Sequence, residues 1–100
     1  PALDNQNSIE ELNFSNLSIE SLFYNNRDTS IELSYFIKEN MEVEFEIYSV
    51  NGAALWKGQS QTMEKGRYQK TIHCELLSTG IYILKVNFNE NSITNRFVVE

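Results

Sequence analysis

The only histidine and the only cysteine of the chain are neighbours, His73 and Cys74, so this pair is the first candidate for catalysis. An imidazole beside a thiol could act as base and nucleophile, as in a thiol protease. In a β-strand, however, adjacent side chains point to opposite faces, so these two groups could not exchange a proton directly. We therefore expect a lone buried thiol beside a partly exposed imidazole.

Three glutamates in alternation, Glu42, Glu44 and Glu46, are the other group with ligand chemistry. Carboxylates two residues apart on a strand project in parallel and do not converge on one cation. One histidine and one cysteine without a second pair do not make a zinc site either. The sequence therefore predicts no catalytic residue, no metal, no cofactor and no small-molecule substrate. We expect a protein that is not an enzyme.

The overall charge limits the choice of partner. The 100 residues include 8 basic and 14 acidic side chains, which gives a net charge of −6 and a pI near 4.7. Nucleic acids and anionic membrane surfaces attract clustered Lys and Arg, so this balance disfavours both as partners. No apolar stretch approaches the length of a bilayer span, so we expect no membrane insertion. A protein partner is the remaining class.

Strands are the elements that must position these side chains. Val43, Phe45 and Ile47 alternate with the glutamates, which predicts a half-buried strand with a solvated acidic face. Residues 58–66 are polar and are predicted to form a loop. This strand precedes a hairpin turn, and a second strand is predicted after the turn. Five others are predicted at Leu17–Phe23, Ser30–Ile37, Arg67–His73, Ile81–Phe88 and Ile93–Val99. The fold class is thus all-β, a seven-stranded antiparallel sandwich of the Ig-like or fibronectin type III-like kind.

The domain organisation is simple. Residues 1–16 are predicted to form a flexible leader or a first strand, because the segment is polar and shows no sustained period. Residues 17–100 are predicted to form a single domain, since no internal repeat or linker divides them. The start at Pro1, without a methionine, suggests a processed chain or an excised piece.

Two short motifs predict the connections between strands. Asn51-Gly52 lies between two apolar runs, and both residues tolerate positive φ, so the pair predicts a two-residue hairpin turn. Leu77-x-x-Gly80-x-Tyr82 predicts a corner at the start of the most strand-like run of the chain. We expect the ring of Tyr82 in the core and its hydroxyl bonded to upstream backbone, as in the tyrosine corners of β-sandwiches.

A partner-binding surface follows from the same alternation. If Tyr82, Leu84, Val86 and Phe88 face the core, Ile81 and Ile83 face outward, and we expect Tyr48 to join them from another strand. Trp56 is also expected to face outward. In the last predicted strand Phe97 anchors the chain inward, which leaves Arg96 and Val98 as the outward pair, and all three belong to the predicted recognition residues. Such a surface would bind a partner protein or the preceding domain of the parent protein. The alternative is that a neighbouring loop or the segment Asn5–Leu17 covers these side chains.

The order of motifs from Tyr24 onward resembles the C-terminal sorting domain of the type IX (Por) secretion system of Bacteroidota. The matching segments are Ile47–Gly52 (Ile-Tyr-Ser-Val-Asn-Gly), Gly66-x-Tyr68, Leu77–Val86 with its Leu-x-x-Gly-x-Tyr corner, and Arg96–Val99. The resemblance covers about three quarters of the chain. It implies a sorting or anchoring module of a secreted or cell-surface protein that the secretion machinery recognises after passage through the periplasm of a Gram-negative bacterium.

A second resemblance stays open. Small Ig-like domains of Bacteroides envelope proteins share the Gly-x-Tyr corner, and they imply an accessory or spacer domain that mediates protein interactions without a sorting role. Because Ig-like folds serve many functions, the fold does not distinguish the two hypotheses.

Overall fold

The computed structural model describes residues 16–74 and 77–100, which fold into antiparallel strands. The strands are β1 (Leu17–Asn25), β2 (Ser30–Ile37), β3 (Met41–Ser49), β4 (Ala54–Lys57), β5 (Gln61–Met63), β6 (Gly66–His73), β7 (Gly80–Phe88) and β8 (Asn91–Val99). The predicted leader lies outside the described residues except for Asn16, and the domain bounds stay a prediction. The described part of the chain contains no helix long and apolar enough to cross a membrane.

Two sheets pack against each other. The small sheet has the strand order β1-β2-β6, and the large sheet has the order β4-β3-β7-β8, with β5 also paired to β3. β4 and β5 share one edge of β3, where β5 lies beside Met41–Val43 and β4 beside Glu46–Tyr48. β7 pairs along the other edge of β3. The all-β antiparallel sandwich predicted from the sequence is confirmed.

Alternate residues of the two sheets face one another and form the core. Tyr35 of β2 meets Phe45 of β3 edge-on across the interface, with the ring centroids 5.2 Å apart, in an arrangement that aromatic pairs favour. The predicted core face of β7 is buried. The most deeply buried apolar side chains are Leu17, Ile31, Ile37, Val43, Ile47, Ile72, Leu84 and Val86.

β5 makes the strand count eight among the described residues, where the sequence predicts seven. The predicted loop at residues 58–66 contains Gln61–Met63, which pair with Met41–Val43. The buried Tyr35 hydroxyl donates to the Met63 sulfur at 3.4 Å and so ties this strand to the core. Burial raises the pKa of Tyr35 to about 12, which keeps the donor protonated. A strand of three residues is too short to show alternation in its sequence, so only its pairing with β3 identifies it as a strand.

The β3–β4 hairpin has a longer loop than the two-residue turn that Asn51-Gly52 predicts. The Gly52 N–H donates to the Ser49 carbonyl at 3.0 Å, and the Ser49 N–H donates to the Ala53 carbonyl at 2.9 Å. These bonds enclose the three residues Val50–Gly52, of which Gly52 alone has positive φ, at 95°. A three-residue loop that ends in a positive-φ glycine is a common hairpin connection.

β7 opens with the corner that the sequence predicts. The Tyr82 hydroxyl donates to the Ser78 carbonyl at 2.7 Å, and the side chain is 8% exposed. Gly80 has a φ of 156°, and a Cβ added there would meet the Tyr82 ring at 3.9 Å, an ordinary contact. Backbone conformation rather than lack of space therefore favours glycine at this position.

β6 opens with the same arrangement, which the sequence analysis did not predict. Gly66 has a φ of 152°, and the Tyr68 hydroxyl donates to the Glu64 carbonyl at 2.6 Å. The Tyr68 ring stacks on Tyr35 with centroids 5.5 Å apart. Each sheet therefore contains one strand that begins with a glycine and is closed by a tyrosine two residues later.

Candidate partner-binding surface

The outer face of the large sheet brings together five of the six predicted recognition residues. Tyr48 of β3 pairs with Ile83 of β7, which pairs in turn with Arg96 of β8, so the three form one line across the sheet. The adjacent line holds Ile81 beside Val98. All five alternate with core residues and so project from the outer face. We call these five residues the docking surface.

The apolar side chains of the docking surface are partly in contact with water. Val98 is 58% exposed and Ile81 is 41% exposed, whereas Tyr48 and Ile83 are half-buried. Exposed apolar side chains that are scattered singly are normal on a protein surface, but a contiguous group is typical of an interaction site. The pairing of these residues on neighbouring strands makes the group contiguous.

Arg96 is the charged member of the docking surface. Its side chain is exposed and makes no hydrogen bond, ion pair or ring contact with the residues that the structure describes. By contrast, Arg67 on the small sheet donates two hydrogen bonds to Glu20, at 3.0 and 2.9 Å. A guanidinium presents five N–H donors in a geometry that suits carboxylates. The donors of Arg96 are therefore available to a partner.

A buried carboxylate lies beside the docking surface. Glu46 is 5% exposed, although the sequence predicts a solvated acidic face for β3; that prediction is wrong at this position. Its carboxylate accepts hydrogen bonds from the Tyr48 hydroxyl and, at 2.9 Å, from the Asn87 amide. The Lys57 ammonium lies 3.8 Å from the same carboxylate. These three groups take the place of water around Glu46.

The hydrogen bond between Tyr48 and Glu46 shifts both titrations. The bond from Tyr48 holds the pKa of Glu46 below its usual value against the opposing effect of burial, and Lys57 and Asn87 act in the same direction. The same bond raises the pKa of Tyr48, because loss of its proton would bring two negative oxygens into contact. The pair is thus a fixed donor and acceptor at neutral pH, which suits orientation of a side chain rather than proton transfer.

Two side chains face inward beneath this surface. Phe97, grouped with the recognition residues in the sequence, is 4% exposed and stacks on Tyr82 with ring centroids 5.8 Å apart. It faces away from Arg96 and Val98 and so supports the docking surface without lining it. Trp56 was expected to face outward, but it is half-buried against the core because its β3 partner also faces inward.

The predicted motif residues lie at the end of the sandwich where β3 ends and β7 begins, next to the docking surface. Asn51 and Gly52 form the loop that follows β3. The Leu77 N–H lies 3.5 Å from the Tyr24 hydroxyl and so connects the segment before β7 to the small sheet. Gly80 and Tyr82 flank Ile81 in sequence, so the corner fixes where the docking surface begins on β7.

An open groove with a volume of about 1000 Å³ lies at the same end of the sandwich. His73 and Cys74 border it; the imidazole is exposed and the thiol is half-buried. The described wall of the groove contains no Asp, Glu, Lys or Arg side chain. In residues 16–74 and 77–100, no group of three or more His, Cys, Asp or Glu side chains is placed to hold a metal ion.

β8 forms an edge of the large sheet. It pairs with β7 over its whole length without a bulge, and no described strand pairs with its other side. Proteins often protect a long edge with proline, lysine or a bulge, and β8 has none of these. β1 lies close to part of β8 without pairing with it, and the backbone groups along the rest of this edge are suited to pairing with an added strand.

The group formed by Glu46, Lys57 and Asn87 was not predicted from the sequence. Only the position of Glu46 beside Tyr48 could have been predicted, because a glutamate two residues before Tyr48 must lie on the same face of a strand. The other two side chains come from β4 and β7, and only the strand registers bring them to Glu46.

Comparison with protein families gives one match. Residues 25–100, which include β2–β8 and the whole docking surface, match the family model described as the secretion system C-terminal sorting domain. No curated protein matches the chain.

Proposed function

The chain belongs to the secretion system C-terminal sorting domain family, and from this premise we propose that the type IX secretion machinery binds it at the docking surface and along the edge of β8. A sorting signal of this kind implies a secreted or cell-surface protein. The cargo passes through the periplasm of a Gram-negative bacterium, where the domain is recognised. The domain itself acts as a binding module and performs no reaction.

The observation that carries this proposal is the state of Arg96. Its guanidinium has no partner among the described residues and lies among exposed apolar side chains on an edge strand. Interfaces enrich arginine together with apolar and aromatic side chains and place them where both become dehydrated on binding. An arginine so placed favours a partner that offers a carboxylate beside apolar groups.

Recognition then combines two kinds of contact. A strand of the partner pairs with the backbone of β8 and extends the large sheet, which supplies affinity that depends little on sequence. Arg96 and Val98 on the outer face supply specificity, because they are the side chains of β8 nearest to Ile81 and Ile83. Phe97 holds the strand in place from the core side.

A fusion experiment tests the proposal. Residues 1–100 are fused behind a reporter that enters the periplasm with its own signal peptide, in a host with a type IX system. We expect the reporter in the medium or on the cell surface, and we expect deletion of Asn95–Glu100 to trap it in the periplasm. If the intact fusion also stays in the periplasm, the sorting role falls and an accessory or spacer domain replaces it.

A matched pair of substitutions separates recognition from folding. Val98→Glu changes an exposed apolar residue of the docking surface, and Phe23→Glu changes one that is 54% exposed on the small sheet. Both variants should keep the β-sheet circular dichroism spectrum of the unmodified chain. We expect Val98→Glu to block secretion and Phe23→Glu to leave it unchanged; equal secretion of both would contradict recognition at the docking surface.

A further inference from the structure

Glu46 is the one charged side chain that is buried among the described residues. It does not belong to the core, because it lies on the outer face of the large sheet, where water would normally reach a carboxylate. Tyr48, Asn87 and Lys57 cover it instead. Glu46 is thus buried by three neighbouring side chains on the outer face and not by packing between the two sheets.

A gain in folding stability does not explain why Glu46 is buried. Only the carboxylate of the Glu46–Lys57 pair is buried, since the Lys57 side chain is 65% exposed. A covered carboxylate loses hydration that its hydrogen bonds and ion pair roughly replace, so an apolar residue at such a site often gives an equally stable protein. Glu42 occupies an equivalent position on the same face of β3, four residues earlier, and is simply exposed. The fold of β3 therefore does not require a buried carboxylate on this face.

Glu46 restricts the side-chain conformation of Tyr48. A tyrosine on an exposed sheet face samples several side-chain rotamers, whereas a hydroxyl bonded to a carboxylate two residues away on the same face keeps one. Tyr48 begins the line that continues through Ile83 to Arg96. Its ring orientation thus sets the shape of one side of the docking surface.

We propose that Glu46 is a positioning residue of the docking surface, which it prepares for binding by holding the Tyr48 ring in one orientation. This inference rests on the proposed function, because it assumes that the docking surface is recognised. Fixing a side chain in advance avoids the loss of rotamer freedom on binding, which is worth roughly threefold to tenfold in affinity. Lys57 and Asn87 keep the acceptor charged and aligned.

Four single variants of residues 1–100, and the double variant that combines Glu46→Leu with Tyr48→Phe, test the proposal. Glu46→Leu removes the acceptor, Glu46→Gln keeps one acceptor oxygen, and Tyr48→Phe removes the donor. Glu42→Leu is the matched control on the same face of the same strand. The titration of Tyr48 is followed by NMR with tyrosine labelled at the ring Cζ carbon, and the secreted fraction is measured with the reporter fusion.

We expect the Tyr48 titration to move to lower pH in Glu46→Leu and to stay in place in Glu42→Leu. Secretion should fall severalfold in Glu46→Leu and equally in Tyr48→Phe, without further loss in the double variant, since both remove the same bond. Glu46→Gln should keep most of the secretion, because the amide oxygen still accepts from the hydroxyl. Thermal unfolding should show that Glu46→Leu is no less stable than the unmodified chain.

The outcomes separate this inference from the proposed function. If Val98→Glu blocks secretion while Glu46→Leu shifts the Tyr48 titration and leaves secretion intact, the positioning role is wrong and the sorting role stands. If Glu46→Gln is as impaired as Glu46→Leu, the hydrogen bond is not the cause and the inference also falls. If neither Val98→Glu nor Glu46→Leu reduces secretion, the docking surface is not recognised and both proposals fall.

Discussion

The two sheets of the sandwich open with the same corner. Gly66 in the small sheet and Gly80 in the large sheet have φ values of 152° and 156°. In each case the tyrosine two residues later donates to the carbonyl two residues before the glycine, at 2.6 Å and 2.7 Å. The backbone of the two sheets is thus built with the same local device, and the corners do not distinguish the sheets functionally.

The outer faces of the sheets differ. On the small sheet the polar groups bond to one another: Arg67 binds Glu20 through two hydrogen bonds, and its guanidinium lies 5.3 Å from the Phe36 ring centroid. The remaining contacts on this face join Ser21 to Ser34, and Glu32 to both Ser30 and Thr71. On the large sheet, Arg96 and the apolar side chains around it have no such partners among the described residues.

The difference is the reason for proposing the outer face of the large sheet as the binding face. Both faces contain an arginine and exposed apolar residues, so composition alone would not separate them. They differ in the state of the arginine: Arg67 donates to Glu20, whereas the guanidinium of Arg96 has no partner among the described residues, although Glu46 is hydrogen-bonded to Tyr48 and Asn87 on the same face as Arg96. A face whose hydrogen bonds are satisfied gains little from a partner, whereas unused donors beside apolar groups favour association.

The largest loss of stability is expected at the core side of β8. Phe97→Ala removes a ring that is stacked on Tyr82 and should lower the free energy of unfolding by about 3–5 kcal/mol. Val98→Ala, one residue further on the opposite face, should lower it by less than about 1 kcal/mol. Urea unfolding measures both. Similar losses would mean that β8 does not divide into a core side and a partner side.

The two corners should differ in strength although they share a geometry. Tyr82→Phe leaves a part-buried carbonyl without its donor and should cost about 1–2 kcal/mol of stability. Tyr68→Phe should cost about 0.5 kcal/mol, because water can replace the lost hydroxyl at the exposed Glu64 carbonyl. The midpoints of urea unfolding test the order. Unchanged stability in Tyr82→Phe would show that its hydroxyl does not close the corner.

The smallest effect is an acid dependence that arises on the small sheet. The hydrogen bond from Arg67 holds the pKa of Glu20 below its usual value of 4.5, so the folded state binds fewer protons than the unfolded state in this range. Glu20 therefore contributes stability above about pH 5 and loses it as the pH falls through the lowered pKa.

Stability measured between pH 7 and pH 3 tests this linkage. Glu20→Gln removes the titrating group and Arg67→Gln removes the cause of the shift, so both variants should show the same shallower decline. If either variant declines as steeply as the unmodified chain, the pair does not contribute to the acid dependence.

The fold was predictable from the sequence where the relevant pattern lies within one segment. Alternation in β3 and β7 identified the core face, and Gly80-x-Tyr82 identified a corner that the structure contains. The equivalent Gly66-x-Tyr68 was present but was not interpreted as a corner, because no leucine-containing corner motif preceded it. β5 has three residues and shows no period, so its pairing with β3 was not predictable from its own sequence.

The residues on the outer face at the candidate site were predictable from the sequence, but the burial of Glu46 and the contacts of Arg96 were not. Strand alternation placed Tyr48, Ile81 and Arg96 on the outer face. Burial of Glu46 depends on side chains from three strands, and among the described residues the Arg96 guanidinium has no partner because no acceptor on a neighbouring strand lies within reach. Both properties follow from the strand registers, which local patterns do not fix.

The most direct test compares the two arginines. Arg96→Gln and Arg67→Gln each replace a guanidinium with a long neutral side chain, one on each outer face, in the reporter fusion. We expect Arg96→Gln to leave most of the reporter in the periplasm, while Arg67→Gln, despite losing its bonds to Glu20, secretes close to the amount of the unmodified chain. Equal secretion of the two variants, or a greater loss in Arg67→Gln, would contradict the account.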